Sequence, residues 1–178
     1  MHRDYMMTEF ELFRSLRQGG RKIEAYAIVR GSSEFPGIRG VVTFSEAMNG
    51  TWVEAEVRGL PPYSPAKNGN GRASPVGPFG FHIHEGGSCT PQGGGMNAFM
   101  QAGGHFNPDG QPHGNHAGDF PVLFGNDGYS RMSFFTSRFK PAQVVGKTVM
   151  IHLNPDDYRS QPAGNSGRRI ACGVIEAI

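Results

Sequence analysis

From residue 23 the chain alternates between apolar and polar positions with a period of two. Ile23, Ala25, Ala27 and Val29 interleave with Glu24, Tyr26 and Arg30, and only Ile28 blurs the outer face. The alternation returns at 51–58, where Val53, Ala55 and Val57 point one way and Glu54, Glu56 and Arg58 the other. Side chains of a strand alternate between the faces of a sheet, so both stretches predict half-buried strands. Residues 38–44 predict the strand between them. Asn49-Gly50 carries the signal of a type I′ turn, which would join 38–44 to 51–58 as a hairpin. Further strands are expected at 79–85, 121–124, 129–135, 148–153 and 170–175, with long turn-rich loops at 61–78 and 86–104. Before them the period is different. Thr8 and Glu11 fit a capping box, Phe10, Phe13 and Leu16 recur at threes, and Gly19-Gly20 closes the pattern. The reading is an N-terminal helical extension over 1–22 and one domain over 23–178. Seven or eight short strands with long loops predict an all-β antiparallel sandwich or barrel.

Composition supports that class. The 178 residues include 27 Gly and 13 Pro, which suits loops, while 13 Phe supply large core side chains. A net charge of +2 excludes a strongly basic nucleic-acid binder. No run of apolar residues is long enough to span a membrane as a helix. The first residues carry Asp4, Glu9 and Glu11 without an apolar core, so they do not read as a secretory signal. Cys89 and Cys172 allow one disulfide and are too few for a thiolate zinc site.

The histidines are what this composition leaves to explain. Five of the seven, His82, His84, His105, His113 and His116, fall within residues 82–119, and His152 is a sixth. A lone loop histidine is usually a solvated polar residue, and a single His-x-His is a weak signal. Here His82 and His84 share one strand face, with Phe81 and Ile83 on the other. His152 repeats the arrangement against Val149, Ile151 and Leu153. His113-x-x-His116-x-x-Asp119 adds two nitrogens and an oxygen from a glycine-containing loop. Imidazole with a nearby carboxylate is the donor set that copper and zinc take. Seven such groups fall one short of two four-coordinate sites, so one histidine would serve both ions. Gly93-Gly94-Gly95 lacks the Lys-Ser/Thr and the helix of a phosphate loop. Asn49-Gly50-Thr51 fits a glycosylation sequon, but a hairpin turn accounts for it better.

Four segments taken together resemble copper/zinc superoxide dismutase. They are Gly80-Phe81-His82-Ile83-His84-Glu85, Gly104-His105-Phe106-Asn107-Pro108, His116-Ala117-Gly118-Asp119, and Arg169-Ile170-Ala171-Cys172-Gly173-Val174-Ile175, in the family's order. The resemblance runs from about Glu24 to the end of the chain and implies an eight-stranded Greek-key β-barrel or sandwich with long metal-binding and disulfide loops. It implies that His82, His84, His105 and His152 hold copper, and that His105, His113, His116 and Asp119 hold zinc, with His105 shared. It further implies Asp156 as the aspartate linking one ligand from each site, Cys89–Cys172 as a disulfide, and Arg169 beside the copper. The chain departs from the family in the tight spacing of His113 and His116, in the short loop after Asp156, and in a disulfide loop closer in length to that of bacterial members.

The implied activity is conversion of superoxide to dioxygen and hydrogen peroxide. His105 would relay a proton, and Arg169, with Arg168 and Arg159, would attract the anion. The alternative on the same fold is a copper-binding or copper-delivery module without turnover. Against it, the copper histidines and the arginine are all present. The resemblance leaves room for a homodimer and for a copper chaperone as partners. A paired disulfide suits an oxidising compartment. Cytosolic members also keep theirs, so the expectation is a cytoplasmic protein, or a secreted or periplasmic one if a signal segment has been removed.

Overall fold

The computed structural model describes residues 21–66, 74–90 and 98–178. The expected helix over 1–22 and Gly93-Gly94-Gly95 lie outside the described residues, save Arg21 and Lys22. Among the described residues seven strands form one antiparallel sheet: β1 (Ile23–Gly31), β2 (Arg39–Ala47), β3 (Gly50–Arg58), β4 (Phe81–His84), β5 (Ser130–Thr136), β6 (Thr148–His152) and β7 (Arg169–Ala177). Their spatial order is β4-β6-β7-β1-β2-β3-β5.

The period-two pattern sets which face is buried. Ala25, Ala27 and Val29 of β1, Val53, Ala55 and Val57 of β3, Phe81 and Ile83 of β4, and Val149 and Ile151 of β6 are all fully buried. They belong to one apolar cluster to which β2, β5 and β7 also contribute. A flat seven-stranded sheet could not bring both its edges to one core, so the sheet curls on itself. Phe120 marks the closure. Its ring lies 5.2 Å from Phe81 on edge strand β4 and 4.9 Å from Phe134 on the opposite edge strand, β5. Full burial of the Phe81 and Phe120 rings contributes about 1.5–3 kcal/mol each. A second cluster of Ala98, Phe99, Ala102, Met150 and Cys172 sits apart from the main core, with the half-buried Cys89 packed against it.

Two sequence expectations need correction. The eighth strand, at 121–124, is reduced to a single bridge between Leu123 and Phe79 beside β4. Pro121 has no N–H to give a ladder, and the Val122 N–H goes instead to the Tyr158 hydroxyl at 2.8 Å. The hairpin of β2 and β3 forms as expected, but Ala47 pairs with Gly50, so its turn is Met48-Asn49. None of these turn residues has positive φ, so the turn is not type I′. Gly50 is required for another reason: a Cβ there would run into the Thr136 carbonyl on β5.

Candidate metal centre

The sheet brings β4 and β6 side by side, with His82 paired to Met150 and Ile151 to Phe81. Alternation that buries Phe81, Ile83 and Ile151 turns His82, His84 and His152 to the other face, where loops cover them to 3% exposure or less. His105 arrives from the loop beyond β4 through a bridge to His84, and Asp119 through a bridge to His82. Among the described residues two four-membered donor groups result, His82, His84, His105 and His152, and His105, His113, His116 and Asp119, with a smaller group of His82, His113 and Asp156 beside them. His105 belongs to both four-membered groups.

The hydrogen bonds decide which ring nitrogens are free. His84 Nδ1–H donates to the Gly103 carbonyl at 2.9 Å and His152 Nδ1–H to the Gly167 carbonyl at 3.2 Å. A carbonyl only accepts, so each neutral ring presents a lone pair at Nε2. Those two Nε2 atoms face each other at 3.2 Å. Two lone pairs cannot bond to each other. A cation between them resolves the contact, and a proton is disfavoured there. Burial, together with the neighbouring His152, His105 and Arg169 charges, holds His84 well below the ordinary histidine range. Burial likewise brings His152 down to about 3.

His82 Nε2–H donates to Asp156 Oδ2 at 2.7 Å, and His113 Nε2–H donates to Asp156 Oδ1 at 2.9 Å. Asp156 therefore links one histidine of each group, and both rings turn Nδ1 away from it. His105 Nδ1 reaches Asp119 Oδ1 at 2.9 Å. His113 Nδ1 and His116 Nδ1 each lie 3.3 Å from an Asp119 oxygen. The buried atoms His82 Nδ1, His105 Nε2, His113 Nδ1 and His116 Nδ1 have no hydrogen-bond partner among the described residues. Orphaned ring nitrogens of this kind are costly unless something ligates them. The donor set fits two cations sharing one imidazole. Burial pushes the Asp119 carboxyl up, but the His105 hydrogen bond and the surrounding histidine charges outweigh it and hold it below its ordinary value.

Arg169 opens β7 with its guanidinium across two loop carbonyls, Nη1 to Phe99 at 2.7 Å and Nη2 to Gly103 at 2.5 Å. Cys89 and Cys172 form a disulfide that ties the same loop to β7. Of the other two arginines expected to attract an anion, Arg168 is paired with Glu34 at 2.6 Å, which offsets its charge. Arg159 is exposed on the loop after Asp156.

That loop holds features the sequence reading missed. Asp157 accepts the backbone N–H groups of Arg159 and Ser160 and the side chains of Ser160 and Asn165. These bonds, the Ser160 hydroxyl first, bring its carboxyl down to about 2. Gly164 stands where a Cβ would strike Asp156 Oδ1 and His113 Nε2. Asp157-x-x-Ser160 is a turn signal legible in sequence. Nothing local marks Gly164.

A family model of copper/zinc superoxide dismutase matches residues 38–175. The chain is 40% identical over 158 residues to a Cu-Zn superoxide dismutase of Deinococcus radiodurans, covering 79% of each chain. It is 38% identical over 148 residues to Cu-Zn superoxide dismutase 2 of Aquifex aeolicus, covering 73% of this chain and 74% of the relative.

Proposed function

The chain belongs to the copper/zinc superoxide dismutase family, and from that membership we propose that it converts two superoxide anions and two protons to dioxygen and hydrogen peroxide. His82 Nδ1 with Nε2 of His84, His105 and His152 would hold copper. Nδ1 of His105, His113 and His116 with Asp119 would hold zinc. Bound copper supplies the one-electron exchange, for which zinc has no redox chemistry. The observation that carries the reading is the contact of His84 Nε2 and His152 Nε2 at 3.2 Å, whose other ring nitrogens are both committed to carbonyls.

The protein's own residues have distinct tasks. Asp156 fixes the tautomer and orientation of His82 and His113 by accepting from both Nε2–H groups. His105 Nε2 is a buried acceptor with no hydrogen-bond partner among the described residues, suited to hold a proton and pass it to the departing peroxide. Arg169 places a permanent positive charge near His84, and its guanidinium, anchored on the Phe99 and Gly103 carbonyls, keeps N–H groups to spare for an incoming anion. The domain is taken as 23–178, since β1 starts at Ile23. A homodimer, a copper chaperone and a cytoplasmic location are part of the same proposal.

The test joins metal analysis to superoxide-dependent turnover. One copper and one zinc per chain with rapid turnover is the expected result, and His105→Ala should lose both ions while His152→Ala spares zinc. A single metal at saturation, or two metals without turnover, would overturn the reading.

A further inference from the structure

Tyr158 bonds to several parts of the zinc side of the centre. Its backbone N–H donates to Asp156 Oδ1 at 2.7 Å, the same oxygen that takes His113 Nε2–H. Its hydroxyl donates to the Phe120 carbonyl at 3.1 Å and accepts the Val122 N–H at 2.8 Å. Phe120 directly follows Asp119. The Tyr158 carbonyl packs against Gly114, where a Cβ would collide with it. Gly114 in turn donates its N–H to Asp119 Oδ2 at 2.8 Å. One residue thus touches the turn that carries His113, the segment that carries Asp119, and the carboxylate beneath His113. It does so at φ 55°, a conformation costly for any residue but glycine, so its contacts must hold it there.

The geometry points to Tyr158 as a positioning residue that sets Asp119 against His113 for zinc without being a ligand itself. This rests on the zinc assignment above and deepens it. With His113, His116 and Asp119 only three residues apart, the loop has little slack with which to find its own geometry. A hydroxyl that both donates and accepts locks Phe120 and Val122 together, which a phenyl ring cannot do.

Tyr158→Phe removes the hydroxyl and keeps the backbone bond to Asp156. The ring lines an open cleft of about 510 Å³, so the change leaves no buried void. Zinc transfer to a chromophoric chelator at neutral pH is followed for the full chain loaded with copper and zinc, in the native form, Tyr158→Phe and Asp119→Ala. Copper retention and the Tm of the metal-free protein are measured alongside. Tyr158→Phe should release zinc about tenfold faster, equivalent to about 1.4 kcal/mol. Copper should stay bound and the metal-free Tm should remain within about 3 °C of native. Release of both metals together, a larger fall in Tm or loss of folding would assign the hydroxyl a merely structural role and overturn the inference. So would zinc release within about twofold of native. Asp119→Ala separates the two readings. Fast release there with native-like release in Tyr158→Phe rejects the role of Tyr158 alone, and native-like release in both rejects the zinc assignment itself.

Discussion

His84 and Arg169 meet on a single acceptor. The Gly103 carbonyl takes Nδ1–H of His84 at 2.9 Å and Nη2–H of Arg169 at 2.5 Å. The ring that would hold copper and the charge that would guide superoxide are therefore placed by one peptide group. The other arm of the fork, on the Phe99 carbonyl, keeps that peptide in position.

Charge alone then does not account for Arg169. An ammonium carries the charge but lacks a planar fork to span two carbonyls. Arg169→Lys is expected to retain copper yet lower kcat/KM by roughly tenfold, and Arg169→Glu by roughly a hundredfold or more. Rising salt should slow the native enzyme as the reach of its field shrinks to about 8 Å at 0.15 M. Pulse radiolysis across ionic strengths checks all three proteins. Equal rates for native and Glu forms at low salt would remove Arg169 from substrate guidance.

The Cys89–Cys172 disulfide closes a loop with a sequence separation of 83. In the chain-entropy model such a cross-link contributes about 4–5 kcal/mol by restricting the unfolded chain. Cys89→Ser/Cys172→Ser should lower stability by roughly that amount, offset in part by the apolar cluster around Met150 and Phe99. Because Arg169 leans on the same loop, turnover should fall in the folded variant as well. Urea denaturation with turnover on the same samples reads both, and unchanged stability would contradict the expectation.

Acid should unfold the metal-free protein early. Burial holds His82 and His84 well below 6.5, and His152 at about 3. The unfolded chain takes up protons near pH 6.5 that the native rings refuse. Their contribution is therefore complete above pH 6.5 and is lost as pH falls, down to about pH 3 for His152. The lowered Asp119 adds a loss in the same direction at lower pH. The urea midpoint should drop steadily between about pH 7 and pH 4. A flat midpoint over that range would mean these rings accept protons in the native state.

Gly164→Ala tests the link through Asp156. The added Cβ meets Asp156 Oδ1 and His113 Nε2 at a backbone φ of 63°, so steric overlap and strain act together. Stability should fall by about 2–3 kcal/mol, with zinc released faster than copper. Chelator kinetics and denaturation distinguish this from Gly110→Ala. There φ is also positive, at 60°, but no atom stands in the way. Equal effects of the two substitutions would show that strain alone matters.

Where alternation had a buried face to serve, it was legible in the chain. Ala25, Ala27 and Val29, then Val53, Ala55 and Val57, lie on the face the period assigns them. His82, His84 and His152 could be placed because they sit opposite such a face on β4 and β6. The strand at 121–124 misled because its Val122 N–H is diverted to Tyr158, a partner 36 residues away that leaves no local trace. Gly50 misled because a close approach by β5 and a tight turn call for the same residue. Tyr158 and Gly164 escaped notice for a similar reason: each acts through contacts between loops, and no period registers those.

The strand order also sets a timetable for a growing chain. β1, β2 and β3 are consecutive neighbours and can pair as they emerge, whereas β4 has β6 as its sheet partner. At about 5–20 residues per second, the ribosome needs roughly 3–14 s to go from His84 to His152. Throughout that interval His82 and His84 are already made, and the strand that completes their group is not. An ion that reaches the nascent chain then meets an incomplete group that still lacks His152, so correct loading belongs to the finished polypeptide.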